Sequence, residues 1–186
     1  SETRGLGQVV WDAGLVLAAY LAQTYSGRGI AQGTLIGRHI VELGAGPGVP
    51  GIVAAHCGAR VTLTDLQPTL REICAPNADA NRLAIKSSRR KGSSGGSIRI
   101  AELLWGTDMG VDVLPPGVGD CADVVLGADI VFDEEHFPLL LHTLQQLLPQ
   151  RRDVAPTVHT EVDTDNKTHG RHSASKTSKT EKKRGG

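Results

Sequence analysis

The chain has 186 residues, of which 39% are hydrophobic and 22% charged, which is enough for one domain with a buried core. Its charges cancel unevenly, because residues 1–149 hold eleven basic and fifteen acidic residues, whereas residues 150–186 hold nine and five. An acidic body with a basic tail argues against a uniformly basic nucleic-acid-binding protein.

The first part of the chain predicts a helix, a strand and a glycine-rich turn. Residues 12–25 place apolar side chains at helical spacing behind Asp12, a candidate N-cap. Residues 40–43 (IVEL) predict a short buried strand, which leads directly into the turn Gly44–Gly51 (GAGPGVPG). A helix is expected to follow through residues 52–55.

A second strand is predicted at residues 61–64, where β-branched side chains run up to Asp65. Pro68 suits the first turn of the next helix, which is expected to reach about Leu83. Pro76 lies inside that helix and lacks the N–H group that a helix interior needs, so it predicts a kink or a break.

Two more strands and a last helix complete the predicted domain. The polar, low-complexity segment 86–96 predicts a flexible loop. Strands are expected at residues 98–104 and 122–130. Residues 134–148 predict a helix with a leucine-rich face.

The order of these elements predicts an α/β fold, with a Rossmann-like parallel sheet, helices on both faces and strand order 3-2-1-4. We expect the sheet to be truncated after the fourth strand and its helix. Residues 150–186 contain no Leu, Ile, Phe or Met, so they cannot bury enough apolar surface to offset the entropy of ordering. The expected organisation is a domain at 1–149 and a disordered basic tail at 150–186.

Cysteine spacing and apolar runs exclude further classes of protein. Cys57, Cys74 and Cys121 are far apart and odd in number, and the sequence has no Cys/His cluster with metal-ligand spacing. We therefore expect a reducing compartment, with neither a disulfide framework nor a metal site. The longest apolar runs, such as residues 15–21, are shorter than the roughly 20 residues of a membrane span, so no membrane partner is expected.

The glycine-rich turn carries the main functional signal. Glycines permit a sharp turn and let a ligand approach the backbone, and the following helix presents its N-terminus there. Asp65 ends the next strand 21 residues after Gly44, where an acid binds the ribose hydroxyls in doubly wound folds. A dinucleotide and S-adenosylmethionine both fit this arrangement. Glu42, two residues before Gly44, is an acid often seen in the methyltransferase form of the turn.

Five motifs between Val10 and Phe132 together resemble the seven-β-strand protein-lysine methyltransferases that modify heat-shock chaperones, valosin-containing protein and elongation factors. The resemblance covers roughly residues 5–148. The motifs are Val10–Ala13 (VWDA), Val41–Gly48 (VELGAGPG), Leu63–Leu66 (LTDL), Glu102–Gly106 (ELLWG) and Leu126–Phe132 (LGADIVF). The resemblance implies S-adenosylmethionine as the cofactor and a protein lysine as the methyl acceptor.

The resemblance also assigns residues to the cofactor site. They are Trp11, Gly44, Ala45, Gly46, Asp65, Trp105 and Ala128. Asp65 is expected to bind the ribose hydroxyls, while the three turn residues contact the amino-acid end and the ribose. Trp11 is expected at the mouth of the site and Trp105 beside the adenine. Ala128 is expected to end the fourth strand and to line the pocket near the methyl group.

Residues Asp129 to Phe132 match the family's DxxY-type signature, which lies beside the acceptor lysine. Phe132 stands where the signature has Tyr, so a hydroxyl role is lost and a packing role remains. Asp129 is assigned to the catalytic site as the residue that positions the acceptor. We expect it to position the acceptor rather than to act as a strong base, since its negative charge favours the ammonium form of the amine.

The resemblance therefore predicts a protein-lysine methyltransferase that acts as a monomer on a chaperone, an AAA ATPase or an elongation factor. The expected compartment is the cytoplasm, with the nucleus as the alternative, and no specific nucleic-acid partner is expected. A catalytically inactive, methyltransferase-like binding module is a second hypothesis, because the family has further strands after the helix at 134–148. A dehydrogenase domain of the NAD type is a third.

Overall fold

The structure is a computed structural model that describes residues 7, 9–25, 35–87, 95–108, 113–114 and 121–148. All of these residues lie in one unit, Ser1–Arg151. The tail predicted to be disordered, 150–186, lies outside the described residues, as do residues 88–94 of the predicted loop.

Strands and helices alternate along the described chain. The strands are β1 His39–Leu43, β2 Arg60–Asp65, β3 Ser97–Glu102 and β4 Val124–Gly127. The helices are α1 Asp12–Tyr25, α2 Val49–His56, α3 Ala75–Ser87 and α4 Phe137–Leu147. Within the described ranges, no helix combines the length and the apolar character of a membrane span.

The four strands form one sheet in the order β3-β2-β1-β4, and every neighbouring pair is parallel. This confirms the predicted strand order and the Rossmann-like α/β fold. The order of the strands reverses between β1 and β4. Open α/β sheets bind their ligands at the carboxyl ends of the strands beside such a reversal.

β1 is buried along its whole length because helices cover both faces of the sheet. Ile40 packs with residues of α1, α2 and α3 on one face, whereas Val41 and Leu43 pack with Leu140 and Leu147 of α4 on the other. Successive side chains of a strand point to opposite faces. The two-sided cover therefore explains why the apolar residues of β1 lie on both faces of the strand rather than on one face alone.

The helix that follows β2 changes type just before Pro76. Residues Leu70–Cys74 form a π-helical turn, in which the N–H of Ala75 reaches the carbonyl of Leu70. Regular α-helix begins only at Ala75. Since a proline ring clashes with the carbonyl four residues earlier, here that of Glu72, the wider turn is the irregularity that Pro76 predicts. The same helix continues to Ser87, past its predicted end and into the segment expected to be loop.

The fourth strand is shorter than predicted. β4 ends at Gly127, so Ala128 follows the strand and does not end it. Asp129 then adopts a left-handed backbone with φ of 55°. A left-handed residue at this position prevents the extended strand from continuing to its predicted end at residue 130.

The last helix also begins differently from the prediction. Residues Glu134–His136 form a 3-10 turn, and α4 starts at Phe137. Asp133 caps the turn, since its side chain accepts the N–H of Glu135 at 3.0 Å.

A matched pair of glycine substitutions tests how closely α2 packs on the sheet. A methyl group on Gly51 would run into Leu63 and the carboxyl of Glu42, whereas one on Gly14 of α1 would meet nothing within 4 Å. We expect Gly51→Ala to lower the free energy of unfolding by about 1–3 kcal/mol. Gly14→Ala should raise it by about 0.5–1 kcal/mol, because alanine loses less backbone entropy in a helix. Denaturant unfolding measures both, and equal stabilities would contradict this packing.

Candidate functional site

The turn between β1 and α2 depends on glycine. Gly44, Gly46 and Gly48 have φ of 56°, 50° and 78°, in the left-handed region where a side chain would strain the backbone. The N–H of Gly48 bonds the carbonyl of Ala45 at 2.7 Å, and the N–H of Ala45 bonds the carbonyl of Thr64 at 2.8 Å. The turn is thus fastened to β2 at the carboxyl edge of the sheet.

Asp65 lies against this turn. Its Oδ2 accepts the N–H of Gly46 at 2.7 Å, and its Oδ1 accepts the N–H of Leu66 at 2.7 Å. The side chain is half-buried, so part of the carboxylate faces solvent. Two features predicted from their spacing alone, the glycine turn and the strand-end acid, are therefore in direct contact.

Trp105 flanks the other side of the turn. A Cβ atom placed on Gly44 would lie 3.7 Å from Cζ2 of Trp105 and 3.0 Å from Cγ2 of Ile130. The N–H of Gly106 donates to Oγ1 of Thr143 in α4 at 3.0 Å, which anchors the turn that carries Trp105. Ile130 was missed from the sequence, since only the fold brings it to Gly44.

The segment after β4 reaches the same edge of the sheet. Ala128 is half-buried and Asp129 is exposed. Phe132 is 70% exposed, so it does not take the packing role left open for it within the described part of the molecule. The acidic side chain of Asp129 is accessible to a large partner, as an acceptor-positioning residue requires.

Trp11 lies just ahead of α1 and is 49% exposed. Its carbonyl accepts the N–H groups of Gly14 and Leu15, which begins the helix. The chain reaches the turn earlier, at Gly7, whose carbonyl oxygen would lie 3.3 Å from a Cβ on Gly46. This approach was not predicted, because nothing in the local sequence around Gly7 marks it.

Glu42, the acid noted in the sequence two residues before Gly44, contacts the start of α2. It is only 3% exposed, and its Oε2 accepts the N–H of Gly51 in α2 at 2.8 Å. Burial raises the pKa of this carboxyl from 4.5 to about 8, although the Gly51 bond opposes the shift. The acid therefore lies beneath the turn and joins β1 to the start of α2.

The described histidines and cysteines form no metal centre. No group of three or more His, Cys, Asp or Glu side chains lies together in the part of the chain that the structure describes. His136 and His142 are exposed.

Comparisons with known proteins agree with this architecture. The profile of a lysine methyltransferase family matches residues 1–169. Protein N-lysine methyltransferase METTL21A of Danio rerio is 41% identical over 143 residues, which are 77% of this chain and 56% of that protein. EEF1A lysine methyltransferase 3 of Mus musculus is 40% identical over 144 residues, 77% of this chain and 51% of that protein.

A relative of different acceptor type also matches: histone-arginine methyltransferase METTL23 of Rattus norvegicus is 33% identical over 152 residues, 80% of this chain and 56% of that protein. The chain spans about half the length of these curated relatives. With a profile match over most of its length and the expected sheet and turn, the chain belongs to the lysine methyltransferase family.

Proposed function

We propose that this domain binds S-adenosylmethionine and transfers its methyl group to a lysine side chain of a protein. The contact between the Gly46 amide and the Asp65 carboxylate is the observation that carries the proposal. It joins a backbone that a ligand can approach closely to an acid with acceptor capacity to spare, the combination that a ribose requires. Membership of the lysine methyltransferase family supports the reaction class.

The start of α2 favours this cofactor over a dinucleotide. A pyrophosphate needs free N–H groups at a helix N-terminus. Here Pro50 has no N–H, Gly51 donates to Glu42, and Ile52 donates to the carbonyl of Gly48 at 2.9 Å. S-adenosylmethionine has no phosphate and makes no such demand, so the dehydrogenase hypothesis loses support.

The residues at the site are proposed to have different roles in methyl transfer. Asp65 is proposed to hold the ribose, while Gly44, Ala45 and Gly46 form a backbone surface for the cofactor. Trp105 covers its adenine side, with Trp11 at the mouth and Ala128 near the reacting methyl. When bound, S-adenosylmethionine supplies an electrophilic methyl group on a sulfonium.

Asp129 is proposed to orient the acceptor. Its exposed carboxylate attracts a lysine ammonium to the carboxyl end of β4 and aligns the side chain, which is a large part of what an enzyme contributes to such a transfer. The amine, with a usual pKa of about 10.4, must still lose its proton before it reacts. The Asp129 carboxylate favours the charged ammonium form, so it is not assigned as the base. Instead, the proton is proposed to pass to solvent as the amine enters the site and loses its hydration.

The proposed substrate is a protein. One relative, from Mus musculus, is named as an EEF1A lysine methyltransferase. For this chain we extend the proposal to a chaperone, an AAA ATPase or an elongation factor, acted on by a monomer in the cytoplasm. Incubation of a cell lysate with radiolabelled S-adenosylmethionine, followed by mass spectrometry, identifies the protein and the residue. Labelled arginine in place of lysine would contradict the acceptor assigned here.

Asp65→Asn tests the proposed ribose contact. Asparagine keeps an oxygen for the Gly46 amide but loses the charge and acceptor capacity that a ribose uses, so we expect about tenfold weaker binding of S-adenosylmethionine by calorimetry, about 1.4 kcal/mol. Glu102→Gln is the matched control, since Glu102 pairs with Asp65 in the sheet register and is exposed at the end of β3. Its affinity should equal that of wild type. Unchanged affinity in Asp65→Asn, or binding of NAD, would overturn the cofactor assignment.

Asp129→Asn tests the acceptor role without disturbing the backbone. Asparagine tolerates the left-handed conformation of residue 129, whereas Asp129→Ala should also cost about 1 kcal/mol of stability. We expect Asp129→Asn to keep its affinity for S-adenosylmethionine and to lower the rate of methyl transfer about tenfold to a hundredfold.

Asp133→Asn is the control for this experiment, because asparagine preserves the cap on Glu135. Full transfer by Asp129→Asn would exclude the assigned role. A wild-type protein that binds the cofactor but labels no protein would instead identify a binding module.

A further inference from the structure

Asp129, the residue proposed to orient the acceptor, has a backbone conformation that side chains disfavour. Its φ of 55° is left-handed, and within the described ranges it is the only non-glycine residue in that region. Such a conformation persists only where the surrounding structure holds it. The carboxylate provides no hold, because no described residue forms a hydrogen bond or an ion pair with it. The packing of a neighbouring residue must therefore supply it.

Ile130 folds back over the ends of two adjacent strands. Gly127, the last residue of β4, pairs with Leu43 at the end of β1, and Gly44 follows Leu43 in the chain. A Cβ atom on Gly44 would lie 3.0 Å from Cγ2 of Ile130, while one on Gly127 would clash with Cδ1 and lie 3.1 Å from Cγ1. Two glycines on neighbouring strands thus leave the space that the Ile130 side chain occupies.

The Ile130 side chain is the main apolar anchor of the described segment after β4. It is half-buried and packs against the buried cluster between the sheet and α4, which includes Leu43 and Leu140. The next two side chains, Val131 and Phe132, are 65% and 70% exposed, so they gain little from burial. Because Ile130 follows Asp129 directly, its packing fixes the direction in which the chain leaves the left-handed residue.

We propose that Ile130 is a positioning residue for the methyl acceptor: packed across Gly44 and Gly127, it holds the left-handed turn at Asp129 and so directs the carboxylate towards the lysine. This inference rests on the proposed methyl transfer and on the role proposed there for Asp129. Ile130 acts through Asp129 and is not required to touch the lysine or the cofactor.

Two substitutions of Ile130 grade the loss of this packing. Ile130→Ala removes every side-chain atom that approaches Gly44 and Gly127, whereas Ile130→Val loses only Cδ1 and keeps Cγ2 against Gly44. Leu144→Ala is the matched control. Leu144 is half-buried in the same cluster, and none of its atoms lies within 4 Å of a Cβ on Gly44.

Each variant is measured as the full chain in two assays. Calorimetry gives the affinity for S-adenosylmethionine, and transfer of radiolabelled methyl from the saturating cofactor to the proteins of a cell lysate gives the rate. We expect Ile130→Ala to bind the cofactor within about twofold of wild type and to transfer methyl about tenfold more slowly. Ile130→Val should lose at most about threefold in rate. Leu144→Ala should match wild type in both assays.

A double-mutant cycle tests whether Ile130 acts through Asp129. If the task of Ile130 is to direct the Asp129 side chain, its removal matters little once the carboxylate is gone. In the Asp129→Asn background, Ile130→Ala should therefore lower the rate by less than about twofold, compared with about tenfold in wild type. A general loss of structure would lower the rate equally in both backgrounds.

Gly127→Ala displaces Ile130 without removing any of its atoms. Gly127 is not left-handed, so alanine adds no backbone strain, but its methyl group takes the place of Cδ1. We expect the rate of transfer to fall about tenfold, as in Ile130→Ala. Adding Ile130→Val, which lacks Cδ1, should restore the rate to within about threefold of wild type. If Ile130→Ala fails to fold, this pair of variants decides alone.

Four outcomes would overturn the inference: full transfer by Ile130→Ala, an equal effect of Ile130→Ala in both backgrounds, no rescue of Gly127→Ala by Ile130→Val, or a loss of cofactor affinity as large as the loss of rate. The last would mean that Ile130 serves the cofactor instead. In each of these cases the wild-type protein still transfers methyl, so the proposed function stands. A wild-type protein that labels no protein would contradict the proposed transfer, and this inference with it.

Discussion

The hydrogen bond from the Gly46 amide to the Asp65 carboxylate is the constraint on which the site depends. It joins the turn that follows β1 to the last residue of β2, and it fixes the distance between the turn and the acid. The parallel pairing of β1 with β2 makes this contact possible, since it brings both carboxyl ends to one edge of the sheet. Without this pairing of β1 with β2, the glycines would form a tight turn with no Asp65 carboxylate beside it.

The proposed cofactor side and the proposed acceptor side of the site are built differently. The former consists largely of backbone held between β1, β2 and α2, with glycines that allow close approach and buried groups that prevent movement. The latter is a short exposed segment after β4 that begins with the left-handed Asp129. A fixed surface suits one invariant small molecule, whereas exposed side chains suit a macromolecular partner whose local shape differs from one substrate to another.

Much of this architecture was predictable because its signals are local. Short runs rich in β-branched and apolar residues identified the strands, and the spacing from the glycine-rich turn to Asp65 identified a turn and an acid that the fold brings into contact through Gly46. Other features depend on chain segments that meet only in the folded state. The bond from Gly51 to Glu42, the approach of Gly7 to Gly46 and the contact of Ile130 with Gly44 all belong to this group. The early end of β4 was missed because an apolar run in the sequence does not indicate where the backbone adopts a left-handed conformation.

Burial of β1 on both faces has a consequence for local unfolding. Amides of His39–Leu43 have neighbours on either side in the sheet and helices above and below, so they should exchange with solvent only when the whole domain opens. Within the described part of the chain, residues 131–132 are exposed without such cover and can open at little cost in free energy. The molecule therefore has a gradient of opening free energies that falls from its central strand towards the end of β4. The proposed protein substrate would meet the end that opens readily, while the proposed ribose-binding edge stays folded.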